Sequence, residues 1–193
     1  NISLVEMVMD NYTPAVTIEL YKKAVDARRF DLAKRVLESN IDASLAMDYA
    51  ILKNIPELVQ AAMEKGGDPQ KALAYGIASR KPDLAGAAIT AGAKPDLVLE
   101  DAIKQNQTDI VNLLLDNSAD ANAGLTYAIN NNKTNFIPLM ISKGAKVDDT
   151  QISKVAATGD NKLVKTLIDA GGNKEAALAG AMTAKKYPTA TLI

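Results

Sequence analysis

Residues 99–118 read Leu99-Glu-Asp-Ala102-Ile103-Lys104-Gln105-Asn106-Gln-Thr108-Asp109-Ile110-Val111-Asn-Leu-Leu114-Leu115-Asp-Asn-Ser118. Leu99, Ala102 and Ile103 share one face of a first helix. Ile110, Val111, Leu114 and Leu115 share one face of a second, because i, i+1, i+4, i+5 spacing follows a 3.6-residue turn. Asn106 between them tolerates left-handed backbone, and Thr108-Asp109 supplies a capping side chain and an acid at the positive end of the second helix dipole. The segment is a helix-turn-helix unit.

The same unit recurs along the chain. With Ala102 as reference, the equivalent positions are Ala24, Ala50, Gly76, Ala128, Val155 and Ala181, spaced by 26 residues with a single step of 27. Three before each stand Tyr21, Met47, Leu73, Leu99, Leu125, Ile152 and Leu178; one after stand Val25, Ile51, Ile77, Ile103, Ile129, Ala156 and Met182. The second-helix columns begin at Leu32, Leu58, Leu84, Ile110, Phe136 and Leu163, with Thr189 as the exception. Over the mapped columns 45 of 47 places are hydrophobic in a chain that is 48% hydrophobic, so the register is not accidental. Turn residues Asn54, Asn106, Asn132 and Gly159 separate the helices. Second helices close at Gly66, Gly92, Gly144 and Gly171, with Asn40 and Ser118 in two units. Asp68-Pro69 is a cap followed by Pro at a first helical position. Helices of about nine to eleven residues are too short to stand alone in water, so each unit must stack on its neighbours. The reading is all-α, a solenoid of about seven repeats. It forms a single repeat domain over 1–193, with 1–12 a partial leading unit and repeats at about 17–42, 43–68, 69–94, 95–120, 121–147, 148–173 and 174–193, the last incomplete.

Composition agrees and excludes much chemistry. The 193 residues include no Trp and only 4% aromatics, so the apolar mass is chiefly Ala, Leu, Ile and Val, suited to closely packed small helices. Zero Cys removes disulfides, thiolate nucleophiles and Cys-ligated metals; zero His removes imidazole ligands and Ser-His or Cys-His catalysis. With 22 basic and 23 acidic residues the chain lacks the basic excess that nucleic acid or an anionic membrane calls for. No apolar run approaches the roughly 20 residues of a membrane span. No Gly-rich phosphate loop follows a strand. Catalytic residues, cofactors and a metal are not expected. Asp148-Asp149, at the one-residue insertion, lacks the spaced oxygen ligands of a cation loop.

Leu125-x-x-Ala128-Ile129 followed by Phe136-Ile137, Met140-Ile141 and Ser142-Lys143-Gly144-Ala145 resembles the ankyrin repeat, as does Ala102-Ile103 with residues 110–122 ending in Ala119-Asp120-Ala121-Asn122. The resemblance spans roughly residues 20–193. Two departures stand out. The Thr-Pro-Leu-His start of the family's first helix is missing, and the period is 26 where the family has about 33. The shortening falls where the family places its projecting β-hairpin. About four residues remain there, as in Ala93-Lys94-Pro95-Asp96, too few for two strands and a turn. The resemblance therefore implies a nearly all-helical ankyrin-like stack with minimal or absent hairpins.

It also implies protein or peptide binding on the concave face, which without hairpins falls to the first helices. The variable places there give Lys53, Ser79, Lys104, Gln105, Asn130 and Asn131, and the place before the reference gives Tyr49, Tyr75 and Tyr127. Tyr buries area at low entropic cost while keeping a polar tip, so this column reads either as a partner-contacting stripe or as rings packed between first helices. Arg29, Lys81 and Lys133, with Arg28 and Arg80 beside two of them, form a basic column in the inter-helix turns. That column fits an acidic partner or a solvated edge near helix C-termini.

Two functions follow as expectations: a non-catalytic module for protein or peptide partners, or a structural spacer or self-assembly segment within a larger exported or envelope-associated protein. The opening Asn-Ile-Ser-Leu-Val-Glu-Met has no initiator Met and no leader, and neither end has an obvious polar cap. These features read as a processed chain cut from a longer protein, compatible with an exported or periplasmic location.

Overall fold

The computed structural model describes residues 14–39 and 41–193; the expected leading unit and the helix end at Asn40 lie outside them. Among the described residues there are α-helices and short 3₁₀ turns and no strand. By contact the chain divides into two compact units, one ending at Lys94 and the other beginning at Pro95.

The first unit holds three helix pairs: α1 (Pro14–Asp26) with α2 (Phe30–Leu37), α3 (Ala43–Leu52) with α4 (Pro56–Glu64), and α5 (Pro69–Ala78) with α6 (Pro82–Thr90). The second holds four: α7 (Leu99–Lys104) with α8 (Thr108–Asp116), α9 (Ala121–Asn130) with α10 (Ile137–Ser142), α11 (Asp149–Thr158) with α12 (Asn161–Asp169), and α13 (Lys174–Thr183) with α14 (Tyr187–Leu192). In each unit the mapped columns form the core. Ala50, Ala102, Ala128 and Ala181 are fully buried, as are Met47, Leu73, Leu125 and Ile152. Small reference residues let the two helices of a pair meet closely: a Cβ on Gly76 would lie 3.0 Å from the Ala85 backbone nitrogen. The exception is α13, where Leu178 and Met182 occupy core columns yet are 42% and 51% exposed.

Every inter-helix turn has one left-handed residue: Arg28, Asn54, Arg80, Asn106, Asn132, Gly159 and Lys185. In six of the seven, the following N–H reaches back to the reference carbonyl, as Lys81 to Gly76 at 2.7 Å and Lys133 to Ala128 at 2.7 Å, which satisfies a carbonyl the helix end would orphan. The second helices end in the same way. Gly67, Ala93, Ala119, Ala145 and Gly172 each donate to the helix behind them and are buried, so this column must be small. At Gly67 a Cβ would sit 2.4 Å from the Met47 methyl and 2.9 Å from the Ala62 carbonyl.

First helices start on side-chain caps at Asp42, Asp68, Asp120, Asp148 and Asn173. The fourth pair has Lys94 at the equivalent position, and there the chain enters through a 3₁₀ turn, Pro95–Val98, before α7. Thr108 does not cap its helix, contrary to the sequence reading, and neither does Thr134 at the equivalent place. The cap positions fall one residue earlier, on Gln107 and Lys133, whose side chains make no cap bond. Pro138 also lacks an N–H for the Thr134 carbonyl, so that turn closes as 3₁₀, with Ile137 donating to Thr134.

Where a hairpin would link successive repeats, a single polar side chain does so at four of the loops. Gln70 accepts from the Lys94 N–H (2.8 Å) and donates to its carbonyl (3.3 Å). Asp96 accepts from the Asp120 N–H (2.7 Å), Asn122 from the Lys146 N–H (2.8 Å), and Asp149 from the Asn173 side chain (3.3 Å). These bonds tie four short loops to the start of the preceding first helix or, for Asp96, to the 3₁₀ turn that leads into it.

Candidate functional site

In the first unit the outward face of α3 carries the largest exposed apolar groups. Leu45 is 51% and Leu52 75% exposed, with Tyr49 half-buried between them at i, i+4, i+7 spacing. The inward face of the same helix buries Ala46, Met47 and Ala50. Eight of the ten α3 residues are hydrophobic, so the helix is apolar on both sides while solvent covers one.

Tyr49 is fixed by polar partners. Its hydroxyl donates to both Asp26 carboxylate oxygens at 2.9 Å; Lys53 pairs with Asp26 at 2.7 Å, and the Lys53 and Lys22 ammonium groups lie 5.2 Å and 5.9 Å from the ring centroid. The hydrogen bond from Lys53, then that from Tyr49, holds the Asp26 carboxyl below its ordinary range, and Asp26 in turn raises Lys53. Tyr75 lies deeper, 8% exposed, and its hydroxyl donates to Asn54 Oδ1 at 2.6 Å while burial pushes its ionisation up. Ser79, half-buried, donates to the Tyr75 carbonyl at 2.7 Å. Lys71 on α5 pairs with Asp48 on α3 at 2.7 Å.

In the second unit Lys104 is exposed, and its carbonyl accepts from Lys133 Nζ at 2.9 Å, which also reaches Asn106 at 3.1 Å. Half-buried Gln105 accepts from Gln107 at 2.8 Å. Tyr127 is half-buried; Asn131 donates to its carbonyl at 3.0 Å, and Asn130 accepts from Lys154 at 2.8 Å. A groove of about 620 Å³ between α11 and α13 is floored by Ala157, Ala179 and Gly180 and rimmed by Asp149 and Lys154. Asp148 and Asp149 are otherwise engaged, the first in a capping box with Gln151 and the second with Asn173.

The predicted residues thus gather on first-helix faces and turns. Tyr49, Lys53, Tyr75 and Ser79 lie in one unit, and Lys104, Gln105, Tyr127, Asn130 and Asn131 in the other. In three repeats the residue before the reference position is a bridge: Tyr49 to Asp26, Tyr75 to Asn54 and Lys154 to Asn130 each cross to the preceding pair. Leu45 escaped the sequence reading. Its column runs Glu19, Leu45, Lys71, Leu97, Ala123, Thr150 and Ala176, and two leucines among polar and small residues were the available signal.

No protein-family profile matches the sequence, and no curated protein matches it. Solved structures do. The ankyrin repeat domain of Bcl-3, described as a unique member of the IkappaB protein family, is similar over 86% of this chain and 89% of its own, with a TM-score of 0.64 and 20% identity. The fold is ankyrin-like. The human ASB11 ankyrin repeat domain is similar over 79% of this chain and 84% of its own, with a TM-score of 0.58 and 18% identity. The ankyrin-like helix pairs carry the likeness without strands among the described residues. Among those residues, no helix is long and apolar enough to cross a membrane.

Proposed function

We propose that this ankyrin-like chain is a non-catalytic interaction module that binds a protein or peptide partner through the first-helix face. The observation that carries the reading is the Leu45–Tyr49–Leu52 stripe. A helix apolar on both sides is ordinarily buried on both, and large apolar groups on an otherwise polar surface mark interaction sites. Tyr49 is an anchor held ready by Asp26 and Lys53, which lowers the entropy lost on binding. In the first unit Lys53 and Ser79 supply polar contacts around it, and in the second Lys104, Gln105, Tyr127, Asn130 and Asn131 offer polar groups of their own on the first helices and turns. The experiment is site-specific photo-crosslinking in extracts of the source organism, with the cross-linking side chain placed at Leu52 and, as control, at Gln60 on α4. The reading expects a discrete adduct from Leu52 and none from Gln60; equal labelling from both positions would refute it.

A further inference from the structure

We propose that the turn edge of the first unit is a second binding site, for an extended acidic peptide segment with one apolar anchor. It adjoins the first-helix face, with Lys53 and Ser79 lining its cavities, but it does not rest on the reading above. Two cavities, of about 640 Å³ and about 410 Å³, lie along this edge and share Asn54 and Pro56. The first is floored by Val25, Phe30, Ile55 and Pro56, an apolar well of the size that takes a side chain and its neighbours.

Charge decides the occupant. The acids lining the cavities are Asp26 and Glu57, and both are already matched. Asp26 is held by Lys53 at 2.7 Å and by the Tyr49 hydroxyl, and Glu57 faces Lys34 at 3.6 Å. The linings also hold Arg28 and Lys81, which form no ion pair among the described residues. The groove therefore keeps an uncompensated positive charge near each end. A basic segment would meet two like charges, whereas an acidic one gains two contacts while its apolar residue fills the well. Left-handed backbone at Arg28 starts the turn that leads into Phe30 and aligns this edge.

The spacing fixes the ligand pattern. Arg28 and Lys81 belong to turns two layers apart, roughly 16–20 Å at the usual helix separation of about 8–10 Å. An extended chain covers that distance in about five or six residues. The apolar residue belongs nearer the Arg28 end, where the larger cavity lies.

The test is fluorescence anisotropy with a labelled peptide of pattern Glu-Ser-Leu-Ser-Ser-Ser-Glu, against the same peptide with Lys for both Glu. The expected result is saturable binding of the acidic peptide that weakens with salt, and no comparable binding of the basic one. Combined Arg28→Glu and Lys81→Glu should weaken it by at least about tenfold. Arg28→Gln with Lys81→Gln, which adds no repulsion, should weaken it by a smaller factor. Lys165→Glu in the other unit should change nothing, and circular dichroism checks that each variant folds. Failure to saturate by roughly 1 mM, equal binding of the basic peptide, or indifference to both double variants would overturn the proposal.

Discussion

Gly180→Ala probes the tightest backbone approach among the described glycines. A Cβ at this position would lie 2.2 Å from the Ser153 carbonyl oxygen, 2.7 Å from its Oγ and 2.8 Å from its carbonyl carbon. Ordinary contacts need about 3.4 Å or more, so α13 must retreat from α11 by about 1 Å, and backbone cannot rotate aside as a flexible side chain could. Overpacking of this kind costs about 1–3 kcal/mol. Against it stands the helix propensity of Ala over Gly, worth about 0.8–1 kcal/mol. The net expectation is a loss of up to about 2 kcal/mol, read by urea denaturation. Hydrogen exchange should place that loss in α11–α14 rather than in the first unit, because repeat contacts act between neighbours. The sign is decisive. If the two helices were farther apart, only propensity would remain and Gly180→Ala would stabilise by about 1 kcal/mol; that result would refute the packing. The position is equivalent to Tyr49, Tyr75 and Tyr127, and α11 meets α13 far more extensively than α1 meets α3. The size of this one residue thus sets how closely successive first helices pack.

Further outcomes follow from other sites. The Tyr21 hydroxyl is buried without a hydrogen-bond partner, and burial raises its pKa to about 12, so Tyr21→Phe should stabilise by about 1 kcal/mol and remove the last phenol from an absorbance titration. Lys185 holds φ at 57° with a Cβ, so Lys185→Gly should raise stability by about 0.5–1 kcal/mol after the added freedom of the unfolded chain is counted, measured by thermal melting. The Asp26 carboxyl sits below its ordinary 3.8 because Lys53 and then Tyr49 hydrogen-bond it. The stability it contributes is present above that ordinary value and is lost as pH falls through the lower folded value, and Asp26→Asn should flatten the melting profile in that window.

Much of the fold is legible in the sequence because the same physical demand repeats. Ala102 and its equivalents must be small for the helices of a pair to meet, and Leu125 or Leu114 must be apolar to fill the layer. Asn54 and Asn106 advertise their left-handed turns, but Arg28, Arg80 and Lys185 adopt the same backbone without any local signal; the reference carbonyl imposes it. The links from Gln70, Asp96 and Asn122 are invisible to local pattern because their partners lie 24 residues on. Leu178 and Met182 match core columns in sequence, yet among the described residues no helix covers them. The Tyr column was legible as special; that Tyr49 rests on Asp26 and Tyr75 on Asn54 depends on the stagger between neighbouring pairs, which sequence spacing does not encode. Leu45 was hidden by the general habit of leucine to lie inside, whereas Leu52 falls, with Lys53, at a variable place of the first-helix face.

The most direct test of the interaction reading is partner capture by Leu45→Glu with Leu52→Glu, measured beside the melting temperature. Both side chains are largely exposed and outside the packed columns, so the melting temperature should change by no more than about 2 °C. Two carboxylates in an apolar contact should weaken capture by at least about a hundredfold, or about 2.8 kcal/mol. Unchanged capture with unchanged melting would contradict the account.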